Sequence, residues 1–331
     1  MFAPLTWEMT MRWIAWLAVA WLAMAGASQA HTVGFQTVTV PVEGDRPLTV
    51  GVWYPADAPE TDQPLLLSRQ SVAANAPVSG RRLPLVVISH GTGGSYADHY
   101  DTARALTQAG FVVAALSHTG DTYDDRSRAA HIEGRPRQIV QLIDYMTGAW
   151  PGRGALDARR IGLFGFSSGG FTGLVAIGGE PDLARIGPHC VDHPAYFDCR
   201  LLQQFPSGPP ATLRPRAHDP RIRAAVIAAP ALGFTFAPDG LAKVRIPVQL
   251  WRAEADTILP NPFYATAVHD ALPTPPDYRV VKGANHFDFL PPCSPALAKA
   301  APQICGGTFD RAGFHAGFNA DVVAFFEKTL R

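Results

Sequence analysis

The chain has 331 residues, 47% of them hydrophobic and 17% charged, with 30 Gly and 30 Pro, a profile that excludes a disordered chain and fits a loop-rich globular protein. Lys+Arg and Asp+Glu stand at 28 each and no Lys/Arg run forms, so no nucleic acid is expected as a partner. The length fits one large α/β unit or two ordinary domains, and composition does not choose between them.

At the N-terminus Arg12 precedes the apolar run WIAWLAVAWLAMA (13 to 25), and small residues follow at Gly26, Ala27, Ser28 and Ala30. Charge, apolar core and a small-x-small site are the order of a secretory signal over residues 1–30, with cleavage after Ala30 and a periplasmic or secreted mature chain, 31–331. A start at Met9 or Met11 would leave the signal a more usual short leader. The run falls short of the roughly 20 residues that span a bilayer, so no stable membrane span is expected after cleavage.

Next, GFQTVTVPV and LTVGVWYP read as the two strands of a hairpin, and 56–82, rich in Pro, Ala and Ser, reads as a loop. Three β-branched runs follow, LPLVVISH (83 to 90), GFVVAALSH (110 to 118) and RIGLFGFS (160 to 167), with the pattern of strands buried on both faces. Segments of helical length, 96–109 and about 132–149, separate them. The rhythm resumes with RIRAAVIAAP (221 to 230), IPVQLWRAE (246 to 254) and DYRVVKG (277 to 283), and closes on the amphipathic ADVVAFFEKTL (320 to 330). Alternating strands and helices predict an α/β fold with about eight strands, mostly parallel, and helices on both faces. Between them 179–220, dense in Pro, His and Arg, reads as an insertion over the ligand-binding face of the sheet, a lid or pocket wall, or else a peripheral decoration.

Four cysteines in an oxidising compartment are expected to pair, and local pairing, Cys190 with Cys199 and Cys293 with Cys305, is favoured among three connectivities. His189, Cys190, His193 and Cys199 also suggest a mixed metal site, but match no standard zinc spacing.

Gly165-Phe166-Ser167-Ser168-Gly169 fits G-x-S-x-G between a predicted strand and the helix-like FTGLVAI. A sharp strand-to-helix turn lifts the central Oγ clear of the sheet, and flanking side chains would collide with neighbouring backbone, which makes Ser167 the candidate nucleophile. A serine hydroxyl needs a base, and the base an orienting acid. In the order Ser, acid, His, the candidates are Asp256 and His286, each just beyond the C-terminal end of a strand, with Glu254 and Asp239 as alternative acids. His90 and His118 also end strands, but precede the serine. The oxyanion of a tetrahedral intermediate needs backbone N–H donors; Ser168 supplies one, and Thr92 in His90-Gly-Thr-Gly-Gly94 the other. Trp53, Tyr54, Phe166, Trp251 and Phe287 are candidates for the pocket lining or the aromatic core.

These pieces together, with GVWYPA (51 to 56), VVISHGTGG (86 to 94), ALTQAGFVVAALSHTGDT (105 to 122), GFSSGG (165 to 170) and NHFDFLPPC (285 to 293), give the mature chain a resemblance to α/β-hydrolases. More narrowly it resembles the predicted dienelactone hydrolase and platelet-activating-factor acetylhydrolase-like branch. The resemblance implies an α/β-hydrolase fold and oxyanion donors at Ser168 and Thr92. It departs from true dienelactone hydrolases, which use a cysteine nucleophile, because Ser167 occupies the elbow.

The expectation is an exported serine hydrolase of small-molecule or lipid carboxylic esters, acting through an acyl-enzyme and requiring neither metal nor organic cofactor. The alternatives are a phospholipase A2-like acetylhydrolase, an amide or peptide hydrolase, and a non-catalytic binding protein on a hydrolase fold. Oligomeric state is not encoded in these motifs.

Overall fold

The computed structural model describes residues 31–205 and 217–330; the expected signal at 1–30 lies outside the described residues. Ten strands form one sheet: β1 (Thr32–Val40), β2 (Leu48–Ala56), β3 (Thr61–Leu65), β4 (Ser68–Ala74), β5 (Leu83–Ser89), β6 (Val112–Ser117), β7 (Leu156–Phe166), β8 (Ile222–Ala228), β9 (Val248–Ala253) and β10 (Asp277–Val281). Their order is β10-β9-β8-β7-β5-β6-β2-β1-β4-β3. From β6 through β10 all neighbours run parallel, while β1, β2 and β6 pair antiparallel.

The central strands are buried on both faces, and alternate side chains supply two cores. Leu85, Val87, Ile161 and Leu163 join one apolar cluster, and Val86, Ile88, Phe164 and Phe166 the other. Period-two alternation sends neighbouring side chains to opposite sides of the sheet, so a continuous apolar run is what a doubly covered strand requires. Helix α1 (Tyr100–Gln108) contributes Ala103 and Leu106 to the second cluster, whereas α2 (Arg135–Gly148) contributes Ile139, Leu142 and Met146 to the first. The sequence placed these helices over 96–109 and about 132–149; residues Ile132–Gly134 are instead a 3-10 turn leading into α2, whose Pro136 lies in its first turn.

The elbow leads into α3 (Ser168–Ala176). The insertion carries α4 (Ile186–Asp192) and α5 (Phe197–Gln204); α6 (Ala265–Ala271), α7 (Pro295–Ala300), α8 (Pro302–Cys305) and α9 (Arg311–Thr329) follow. Helix α9 starts well before the expected 320, because Asp310 caps it by accepting from the Gly313 N–H at 2.9 Å.

The expected count of eight strands is corrected to ten. The extra pair, β3 and β4, is an antiparallel hairpin within 56–82, turning at Leu66, whose φ is +51°. Its strands TDQPL and SRQSVAA are polar and form the end of the sheet, with Pro64 tolerated at the edge, so they lack the apolar runs that mark the inner strands. Both disulfides have the expected pairing, Cys190 with Cys199 and Cys293 with Cys305. With Cys190 and Cys199 bonded to each other, neither offers a thiolate, which removes the sulfur ligands of the mixed metal reading. No helix among the described residues is long and apolar enough to cross a membrane.

Candidate active site

Ser167 sits between β7 and α3 at φ +55° and ψ −120°, a conformation that costs a residue with a Cβ about 1–3 kcal/mol. Backbone bonds hold it there: its N–H donates to Ala228 O at 2.9 Å, and its carbonyl accepts from Gly170 N at 2.8 Å and Ala231 N at 2.9 Å. The flanking glycines are sterically required. A Cβ on Gly165 would lie 2.2 Å from Gly169 O, and one on Gly169 would lie 1.9 Å from Ser89 O.

The Ser167 hydroxyl lies 3.0 Å from His286 Nε2, and His286 Nδ1 lies 2.8 Å from Asp256 Oδ2. An ionised carboxylate only accepts, so Nδ1 carries the proton and Nε2 is left to accept from the serine. Asp256 is oriented by the Ile258 and Leu259 N–H groups, which donate to its Oδ1 at 2.9 and 2.7 Å. The side chains of His286 and Asp256 are 2% and 5% exposed, so little water competes for their hydrogen bond. The alternative acids lie elsewhere: Glu254 is exposed and accepts from Gly283 N, and Asp239 is exposed.

His286 opens a short 3-10 turn, His286–Phe289, capped reciprocally by Asn285 and Asp288. Arg311 binds Asp288 at 3.1 Å and also donates to Ile304 O and Cys293 Sγ, which links the second disulfide loop to the histidine's turn. Phe166 packs against the imidazole with ring centroids 4.9 Å apart. His90 and His118 sit in a buried network behind the loop after β5, where the His118 N–H donates to His90 Nε2 and His118 Nδ1 faces Gln138.

Beside Ser167, the Thr92 and Ser168 hydroxyls are 2.5 Å apart. Neither residue's backbone N–H donates to a protein acceptor among the described residues. A cavity of about 40 Å³ opens next to them, walled by Ala130, Ile132, Ile186, Phe197, Leu201 and Leu232, with Asp198 its one acidic group among the described residues. A larger cleft of about 410 Å³, beside Tyr54, Val78 and Pro151, contains none of these groups. None of the five aromatic candidates lines the cavity: Trp53, Tyr54, Trp251 and Phe166 are core residues, and Phe287 packs at the core's margin.

The pocket wall expected from the insertion is built on contacts between distant residues. Asp198 is buried, accepts from Tyr264 Oη at 3.0 and 3.1 Å, and burial pushes its carboxyl above the usual range. Behind it His189 stacks on Phe234 with centroids 3.8 Å apart, and burial pushes the imidazole down to about 4. The clustering of aromatics and histidines in PHCVDHPAYFDCR was the available signal, but it does not name the distant residues they pack against.

No family model matches the chain. Bis(hydroxyethyl) terephthalate hydrolase of Streptomyces coelicolor is 35% identical to it over 83 residues, 25% of this chain. The match spans only 24% of that relative's own length. The solved structure of a ferulic acid esterase from Streptomyces cinnamoneus superposes with a TM-score of 0.60 at 21% identity, covering 93% of this chain and 92% of the other. The fold is that of an α/β-hydrolase.

Proposed function

We propose that the protein is an exported serine hydrolase that cleaves carboxylic esters of short acyl groups, with Ser167, His286 and Asp256 as its triad and the Thr92 and Ser168 N–H groups as its oxyanion donors. The observation that carries this reading is the continuous relay from Ser167 Oγ through His286 to Asp256, at 3.0 and 2.8 Å. Ser167 Oγ attacks the ester carbonyl as His286 Nε2 takes its proton, and the two N–H groups stabilise the oxyanion. Collapse of the intermediate expels the alcohol, which leaves with the proton from Nε2. Water then attacks the acyl-enzyme, giving a proton to Nε2, and release of the acid returns that proton to Ser167.

The partial relative and the structural neighbour both bear the names of ester hydrolases, which supports the reaction class. Two disulfides support export, since such bonds persist in oxidising compartments. Of the insertion, Ile186, Phe197 and Leu201 serve as a pocket wall in this reading. The small volume of the cavity, about 40 Å³, and its apolar walls support short acyl groups in this reading.

Hydrolysis of 4-nitrophenyl esters from acetate to dodecanoate tests the proposal. The expected result is a maximum in kcat/KM at the short end and loss of turnover in Ser167→Ala. A maximum at long acyl chains contradicts the short-acyl reading, and no turnover of any ester by the wild type contradicts the enzyme reading.

A further inference from the structure

An oxyanion donor is useful only if its N–H direction is fixed before the charge forms. The loop His90–Gly94 that carries Thr92 contains three glycines, and a chain of that composition does not hold a direction by itself. In the folded protein three consecutive peptide groups of this loop are each fixed by a different side chain.

The Arg135 guanidinium, at the first position of α2, donates through one terminal nitrogen to the His90 carbonyl. Its other terminal nitrogen donates to Asp121 Oδ2 at 3.0 Å, and Asp121 Oδ1 accepts from the Gly93 N–H at 2.8 Å. The ion pair thus closes around Thr92, gripping the peptide before its own and the one after. The peptide between Gly91 and Thr92, which bears the Thr92 N–H, is held through its carbonyl by the His90 ring. Because His90 Nε2 accepts from the His118 N–H at 2.9 Å, its Nδ1 carries the proton and donates to Gly91 O at 2.6 Å.

Both side chains of the pair are 4% exposed, and Arg135 Nε has no hydrogen-bond partner among the described residues. Burying a pair of charges is a poor way to gain stability, since apolar replacements of similar volume do as well or better, and an orphaned N–H adds a further cost. What an apolar pair could not do is supply a donor on one side of Thr92 and an acceptor on the other. Burial lowers Arg135 to about 10, so it stays charged at neutral pH.

We infer that Arg135 and Asp121 are a positioning pair that aims the Thr92 N–H at the developing oxyanion. The inference rests on the ester-hydrolase reading above, and neither residue touches the reacting atoms.

The test is the rate at which a fluorophosphonate labels Ser167. In that reaction Ser167 Oγ displaces fluoride from phosphorus, the serine proton passes to His286, and the phosphoryl oxygen occupies the oxyanion position, so no knowledge of the natural substrate is needed. Removing one oxyanion donor costs roughly 10²–10³-fold in related chemistry; for a misaimed donor, Asp121→Asn and Arg135→Met should slow labelling about 10–100-fold. The labelled fraction at completion should stay at the wild-type value, and Arg135→Lys should recover part of the rate. The Ki of a trifluoromethyl ketone should rise by the same factor in the same variants. A merely structural role would lower the labelled fraction at completion and leave the rate constant and the Ki unchanged. Wild-type rates in Asp121→Asn and Arg135→Lys overturn the inference even if Arg135→Met fails to fold. Failure of the wild type to be labelled at Ser167 overturns the ester-hydrolase reading, and the inference with it.

Discussion

On one side of the candidate site backbone lies directly on backbone: Gly165 and Gly169 leave no room for a Cβ, and Ser167 is held by bonds to strand ends. On the other side, across the 40 Å³ cavity, residues 186–202 are short helices joined by the Cys190–Cys199 disulfide and stacked aromatic rings. The first side draws its rigidity from the central sheet, which any change must disturb. The second draws it from one cross-link and side-chain packing, so its shape can change without moving Ser167. In the proposed function chemistry belongs to the sheet side and selectivity to the insertion.

The largest effect should come from the sheet side. Ser167→Ala should lower kcat for 4-nitrophenyl acetate by about 10⁵–10⁶-fold with little change in thermal midpoint, because it removes a hydroxyl and leaves the elbow in place. Gly169→Ala comes next. The new methyl would sit 1.9 Å from Ser89 O, so an expected loss of about 3 kcal/mol or more should show in the urea midpoint, with a fall in Ser167 labelling. A wild-type midpoint would contradict the close contact.

Replacing Cys190 and Cys199 together by serine tests the wall. A loop of this length should give up about 2–3 kcal/mol, and the acyl-length profile should broaden while the labelling rate of Ser167 remains near wild type. An unchanged profile with slower labelling would mean that the two sides are not separable in this way.

The smallest effect concerns Asp98, which accepts from the Ser95 N–H and hydroxyl beside the loop that carries Thr92. Burial raises its carboxyl to about 6 from 3.8. The folded state therefore keeps a proton that the unfolded chain has lost, and this stability is fully present below about pH 4 and is lost as pH rises through 6. Solvent screening at this partly buried residue holds the change to about 1–2 kcal/mol. Urea midpoints of wild type and Asp98→Asn measured between pH 4 and 7 should differ by a slope of that sign, and parallel curves would contradict it.

The same contrast explains what the sequence revealed. Leu83–Ser89, Val112–Ser117 and residues 161–166 of β7 were legible because a strand segment covered on both faces has to be apolar, whereas the charged start of β7, with Asp157, Arg159 and Arg160, carried no such signal. Ser167, Asp256 and His286 could be singled out because an elbow and two strand ends constrain where they lie. The hairpin of β3 and β4 was not legible, since an edge pair with polar residues carries no burial pattern. The insertion was legible as a candidate pocket wall, but not its meeting of Phe197 with Ile132 and Leu232, which lie far apart in the chain. The Arg135 contact with His90 spans 45 residues, and in sequence it is one arginine before a proline.

The central claim, that Ser167 is the nucleophile of this site, is tested most directly by treating the protein with a fluorophosphonate and locating the adduct by peptide mass mapping. The account predicts one adduct per chain, on Ser167, absent in Ser167→Ala along with ester hydrolysis. An adduct on another residue, or esterase activity retained by Ser167→Ala, would contradict it.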